Sequence, residues 1–167
     1  MKKIMVIGCP GSGKSTFSKL LGDKLDTKVL HLDYIYHIDN FKHISKDEFK
    51  EMITSFVTFN DKFIIDGNYG STMEWRMQFC DTVVLLDIET EICLKNVLLR
   101  MEEGLREDMA PGFDNSVLDE NFIEFVKNFK TDKFPKIVDL LSKNEDVEKV
   151  VLHNYLEMEE FIQKAGN

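Results

Sequence analysis

Cysteine is scarce in this chain, and what there is does not pair: Cys9, Cys80 and Cys93 are an odd number, with no C-x-x-C spacing and no histidine at zinc-like distance. Neither a disulfide framework nor a structural metal site is expected. Long apolar runs are missing too, and Met1-Lys2-Lys3 leads straight into a strand-like stretch instead of a cleavable leader. The expected protein is soluble and cytoplasmic, without membrane contact. Nor is there an excess of positive charge, since 21 Lys and Arg stand against 30 Asp and Glu, a formal net charge of −9. Such a surface repels polyanions, so direct nucleic-acid binding is not expected, whereas small phosphorylated ligands stay compatible through local arginines and backbone N–H groups. Repeats and low-complexity linkers are also absent. A chain of 167 residues with 43% hydrophobic content builds one core, hence one domain, as a monomer or homodimer.

What the sequence does contain is concentrated near its start. Gly8-Cys9-Pro10-Gly11-Ser12-Gly13-Lys14-Ser15 has the G-x-x-x-x-G-K-[ST] spacing of a phosphate-binding P-loop. The apolar run Lys3–Ile7 before it reads as a buried strand, and Phe17, Leu20, Leu21 and Leu25 after it recur at helical spacing. A glycine-rich turn between strand and helix aims several N–H groups at one point, and the helix N-terminus adds partial positive charge there. In this arrangement Lys14 reaches β- and γ-phosphates, Ser15 offers its hydroxyl to Mg²⁺, Thr16 reaches an α-phosphate and Pro10 stiffens the turn.

Carboxylates then follow apolar runs at intervals. Lys28–Leu32 is a second strand ending at Asp33, which could bond an acceptor hydroxyl, act as general base or hold a magnesium-bound water. Residues 34–61 read as an insertion over the ligand edge, with Tyr34 and Tyr36 as acceptor contacts and a helix opened by the capping box Ser45-Lys46-Asp47-Glu48. Phe63–Asp66 and Val83–Asp87 are further strands, each closed by an aspartate able to serve on the magnesium side. Gly67-Asn68-Tyr69-Gly70 is a turn at the ligand edge with Arg76 beyond it. Helical spacing resumes from Thr90 and ends near Arg100, before a polar, Gly- and Pro-broken segment carrying Arg106. Both arginines are placed to neutralise charge on a transferred phosphoryl group. Helices around Phe122–Phe129 and Ile137–Leu141, a fifth strand at Lys149–His153 and a helix at Tyr155–Lys164 complete an alternation that requires a parallel sheet covered on both faces.

With Gly8–Thr16, His31-Leu32-Asp33, Ile65-Asp66-Gly67-Asn68-Tyr69, Leu86-Asp87, Arg100 and the Arg106-Glu107-Asp108-Met109 stretch, the chain resembles P-loop nucleoside monophosphate kinases of the adenylate-kinase-related branch. More narrowly it resembles bacterial proteins labelled DNA topology modulation protein, or FlaR-like. The resemblance implies a three-layer α/β/α fold with a five-stranded parallel sheet in the order 2-3-1-4-5, ATP and Mg²⁺ as cofactors, and Asp66 as the magnesium-side carboxylate. It also implies an acceptor region at 34–61, a short lid at about 102–117 bearing Arg106, and His153 and Asn154 at the adenine ring; Gly67, Asn68 and Arg76 are further acceptor candidates at the ligand edge. The expected activity is transfer of the γ-phosphoryl of Mg-ATP to a small acceptor, a nucleotide or nucleoside. A shikimate- or gluconate-type metabolite kinase and a nucleotide-dependent regulatory ATPase are its rivals. The chain lacks the Gly-Phe-Pro-Arg turn and the long arginine-rich lid of adenylate kinases, which argues against AMP as acceptor.

Overall fold

The computed structural model describes residues 1–103, 109–114, 116 and 120–166. Its centre is strand β1 (Lys3–Gly8), in which Ile4 to Ile7 are fully buried. That burial needs neighbours on both edges and cover on both faces, and the sheet supplies them. Strands β2 (Lys28–His31), β3 (Phe63–Asp66), β4 (Thr82–Leu86) and β5 (Glu148–Leu152) complete a five-stranded sheet in the order β2-β3-β1-β4-β5, with every pairing parallel. Parallel strands need crossovers, and helices fill them: α1 (Lys14–Leu25), α2 (Leu32–Tyr36), α3 (Lys46–Thr58), α4 (Gly70–Met77), α5 (Thr90–Glu103), α6 (Glu120–Lys127), α7 (Phe129–Asp132), α8 (Phe134–Lys143) and α9 (Tyr155–Lys164).

Two main buried clusters pack on the sheet; the larger takes consecutive residues of β1 and β4 from both faces, and β3 divides its side chains between the two. Ile64 points into the larger cluster with Ile4, Phe17, Leu21, Val84 and Val97, while Phe63 and Ile65 join Leu32, Phe49 and Ile53 on the other side. This is the period-two alternation of a strand buried on both faces. The smaller cluster lies under α3 and extends through Tyr36, Tyr69 and Trp75.

Three local expectations are corrected. The second strand stops at His31, because Leu32 turns inward against Gly67 and opens α2, so Asp33 sits in a helical first turn and not at a strand end. Helix α4 begins in what reads as a turn, with Tyr69 in the left-handed region (φ 38°, ψ 67°) immediately before it. The fifth strand is shifted by one residue, to 148–152.

The capping box of α3 is present, with Glu48 N–H donating to Ser45 Oγ at 3.2 Å and Ser45 N–H donating to Glu48 Oε2 at 2.9 Å. Ser45→Ala should therefore lower stability by about 1 kcal/mol in urea unfolding. An unchanged midpoint would show that α3 is held by the packing of Phe49 and Ile53 alone.

Candidate active site

The loop after β1 is closed from three sides. Behind it, the backbone of Cys93 on α5 comes so near that a Cβ at Gly11 (φ +83°) would lie 2.1 Å from the Cys93 carbonyl oxygen. Only glycine fits there. Gly13, at φ +89°, caps α1, whose first N–H groups at Lys14, Ser15 and Thr16 have no intrahelical carbonyl to bond. Lys14 Nζ donates to the carbonyls of Gly8 (3.0 Å) and Cys9 (2.9 Å), curling over its own loop. Ser12 is buried, and its Oγ has no hydrogen-bond partner among the described residues. A hydrogen bond with Cys93, followed by burial, pushes the pKa of the Cys9 thiol upward, which keeps it un-ionised inside the loop.

The third side is the turn after β3. Gly67 N–H continues the ladder to the Val6 carbonyl (3.1 Å), and Asn68 then uses its side chain as a further rung. Its Oδ1 accepts from Gly8 N–H (3.0 Å), and its Nδ2 donates to the Gly8 carbonyl (2.6 Å). Next in sequence, the Tyr69 hydroxyl donates to Asp33 Oδ1 at 2.6 Å, and its ring packs on Tyr36 and Phe49. One turn therefore fixes both the start of the loop and the carboxylate of Asp33.

Arg76 supports that turn from beneath. It is fully buried, and its guanidinium donates to the carbonyls of Gly67 (3.0 Å), Asn68 and Tyr69 (3.4 Å) and to Thr72 Oγ1 (3.2 Å). Burial pulls its pKa down to about 10, against the opposing pull of Cys80, Tyr69 and Asp66, so it stays charged at neutral pH. Arg76 was expected at the acceptor; it is sealed from solvent and acts as a brace.

Asp66 is also buried. His31 Nδ1 lies 2.8 Å from its Oδ2, and its Oδ1 has no hydrogen-bond partner among the described residues. Neighbouring β1 does not single it out, because β3 and β4 both flank β1. What separates the two aspartates is their company: Lys130 Nζ sits 3.1 Å from Asp87 Oδ1 and 3.5 Å from Glu89. Asp87 Oδ1 likewise lacks a hydrogen bond but is ion-paired with Lys130, whereas Asp66 Oδ1 has neither; Asp66 and the Ser15 hydroxyl are both hard oxygen donors, the chemistry that suits Mg²⁺.

Two cavities meet at the loop. One, of about 670 Å³, lies between α1, α5 and α9 and is walled by Gly13, Thr16, Leu20, Tyr155 and Met158. The other, of about 470 Å³, contains Lys14, Ser15, Asp33, Gly67 and Asn68, with aromatic walls from Tyr69, Phe113, Phe122 and Phe125. Arg100 lines both. Asn96 ties the first cavity to the loop, donating to the Gly11 carbonyl (2.8 Å) and to the Tyr155 hydroxyl (2.7 Å).

Several expected residues stand elsewhere. His153 and Asn154 line neither cavity; they close the start of α9 through Glu157, which accepts from His153 N–H and from Asn154 Nδ2, both at 2.8 Å. Tyr34 is 49% exposed and outside both cavities, while Tyr36 is packed between His43, Phe49 and Tyr69. Arg106 lies outside the described residues. The sequence reading missed Tyr69, Asn96 and Tyr155, and took Phe122 as purely structural. Asn96 had a signal: it is a polar residue one turn before Arg100 on the same helical face.

This architecture is the P-loop kinase fold. No family model and no curated protein matches the sequence. Among solved structures, shikimate kinase from Acinetobacter baumannii in complex with shikimate is 15% identical, with 98% of this chain and 90% of that one covered at a TM-score of 0.62. A putative kinase from Chloroflexus aurantiacus is 17% identical over 96% and 94% (TM-score 0.59), and a gluconokinase from Sinorhizobium meliloti 11% identical over 97% and 87% (TM-score 0.54). At such identities the likeness is one of fold.

Replacing Arg76 by Leu should leave the carbonyls of Gly67 and Asn68 without their donor and destabilise the protein by on the order of 3 kcal/mol. Urea unfolding measures this, and a change below about 1 kcal/mol, the range of ordinary surface substitutions, would contradict the bracing role.

Proposed function

We propose that the protein is an ATP-dependent phosphotransferase that moves the γ-phosphoryl group of Mg-ATP to the hydroxyl of a small acceptor, of nucleotide or nucleoside type. The single observation that carries this reading is the pair of cavities joined across the P-loop, with Arg100 common to both. A nucleotide whose base occupies the α1–α5–α9 cavity has its phosphates along Gly13, Lys14, Ser15 and Thr16 and its γ-phosphoryl at the mouth of the second cavity. The fold shared with kinases supports the same class.

In this reading the loop N–H groups and Lys14 hold the triphosphate, and nucleotide binding draws the Lys14 ammonium from the Gly8 and Cys9 carbonyls toward phosphate oxygens. Ser15 and Asp66 would hold Mg²⁺, which when bound supplies charge neutralisation at the β- and γ-oxygens. Asp33, with Oδ1 fixed by Tyr69, orients the acceptor hydroxyl and receives its proton. The acceptor oxygen forms the new bond to the γ-phosphorus as the bond to the bridging oxygen of ADP breaks. Arg100 stabilises charge on the moving phosphoryl, and Arg106 is a second candidate for that task. Positioning and electrostatics do most of this work.

Lys14→Ala is expected to cut turnover by about 10³-fold or more, several kcal/mol in the barrier, while the circular dichroism spectrum and unfolding midpoint stay near those of the parent protein. Turnover that survives the substitution would remove the P-loop from the chemistry.

A further inference from the structure

Among the described residues, the lining of the second cavity is poor in cations, and Arg106 lies outside them. The chain has three arginines, at 76, 100 and 106. Arg76 is sealed under the 67–69 turn, and Arg100 stands where the two cavities join, on the path of the nucleotide's phosphates. Lys14 belongs to the loop itself. Among the described residues that line the cavity, no other lysine or arginine appears. A carboxylate or phosphate monoester on an acceptor is normally gripped by arginine forks, and the described residues of the wall facing the loop offer none.

What that wall offers is of opposite or zero charge. Asp33 is a carboxylate, and Asn40 spends its amide on the backbone of Asp114, donating to its carbonyl and accepting from its N–H, both at 2.7 Å. His37 packs edge-on against Phe113 (ring centroids 4.8 Å apart) and Tyr36 (5.2 Å). Burial lowers its pKa and His43 adds to this, outweighing the pull of Asp33, so the imidazole is mainly neutral at neutral pH. Away from the loop and the 67–68 turn, the described lining is mostly ring and thioether, Tyr69, Phe113, Phe122, Phe125 and Met109, with Val97 beside them. Flat aromatic faces suit a planar ring, and a carboxylate with a neutral imidazole suits hydroxyl groups.

We infer that the acceptor is an uncharged alcohol carrying a planar ring, a molecule of the nucleoside class, and not a nucleoside monophosphate, a sugar acid or a carboxylate-bearing ring alcohol. This deepens the phosphotransferase reading and rests on it. The products are ADP and a phosphate monoester; once Asp33 has passed the proton it received to solvent, its carboxylate repels the new anion in a cavity that accepted the neutral precursor.

The test has two parts. Calorimetry with magnesium and a non-hydrolysable ATP analogue comes first, because absence of binding would overturn the kinase reading and this inference with it. ADP release from Mg-ATP is then measured with nucleosides, the matching 5′-monophosphates, gluconate and shikimate. The expected result is a kcat/KM for at least one nucleoside about 100-fold or more above its monophosphate and above both acids, since like-charge juxtaposition is strongly penalised. Analogue binding together with preference for a monophosphate or an acid, or with neither turnover nor calorimetric binding of any nucleoside, would overturn the inference and leave the nucleotide site standing. His37→Arg puts a cation in the cavity and should raise monophosphate turnover relative to nucleoside by about tenfold; an unmoved ratio would contradict the proposed acceptor wall.

Discussion

A single buried cation holds the centre of this molecule in shape. Among the described residues the guanidinium of Arg76 has no carboxylate as a hydrogen-bond partner; instead it gathers the carbonyls of three consecutive residues, Gly67, Asn68 and Tyr69. Desolvating a charge is costly unless every donor is used, so the turn and the arginine each require the other. The turn also holds Tyr69 in left-handed backbone, a conformation that a bulky side chain adopts only when its surroundings enforce it. The surroundings are the Arg76 fork below, the rings of Tyr36 and Phe49 beside it and the Asp33 carboxylate at the hydroxyl.

Two sites are coupled through that turn. Asn68 extends the β1–β3 ladder by one side-chain rung and fixes Gly8, where the loop leaves the sheet; Tyr69 fixes Asp33 on α2. The donor end and the acceptor end of the proposed reaction thus share one rigid support a few residues long. On the far side of the loop, Asn96 and the Cys93 backbone on α5 play the corresponding part, and the same helix ends with Arg100 at the junction of the two cavities. Preorganisation of this kind is what phosphoryl transfer demands of a protein, because the nucleotide brings the reactive bond and the protein supplies position and charge.

Features set by local chemistry were legible in the sequence. The loop spacing, the β-branched run before it, the capping box at Ser45 and the alternation of strand and helix each depend on neighbours within a few residues, and the five-stranded parallel architecture follows from them together with the resemblance. What escaped was set by contacts across the fold. Arginine after a ligand-edge turn reads as a ligand contact, since nothing local reveals that three carbonyls converge on it. Gly70 reads as the end of a turn, and becomes the first residue of α4, whose Arg76 and Met77 are buried. His153 and Asn154 were placed at a base by resemblance, whereas Glu157 engages both in closing α9 and leaves Tyr155 and Met158 as the cavity wall.

In the proposed function one nucleotide runs from the α1–α5–α9 cavity across the loop to the mouth of the second cavity. A crystal structure of the protein with magnesium and a non-hydrolysable ATP analogue tests it most directly. The expected complex has the base between α1, α5 and α9 near Tyr155, the β- and γ-phosphates within hydrogen-bond distance of Lys14 and the loop N–H groups, and the γ-phosphate facing Asp33. An analogue bound with its phosphates away from residues 8–16, or with its base in the aromatic cavity beside Phe113, would contradict it.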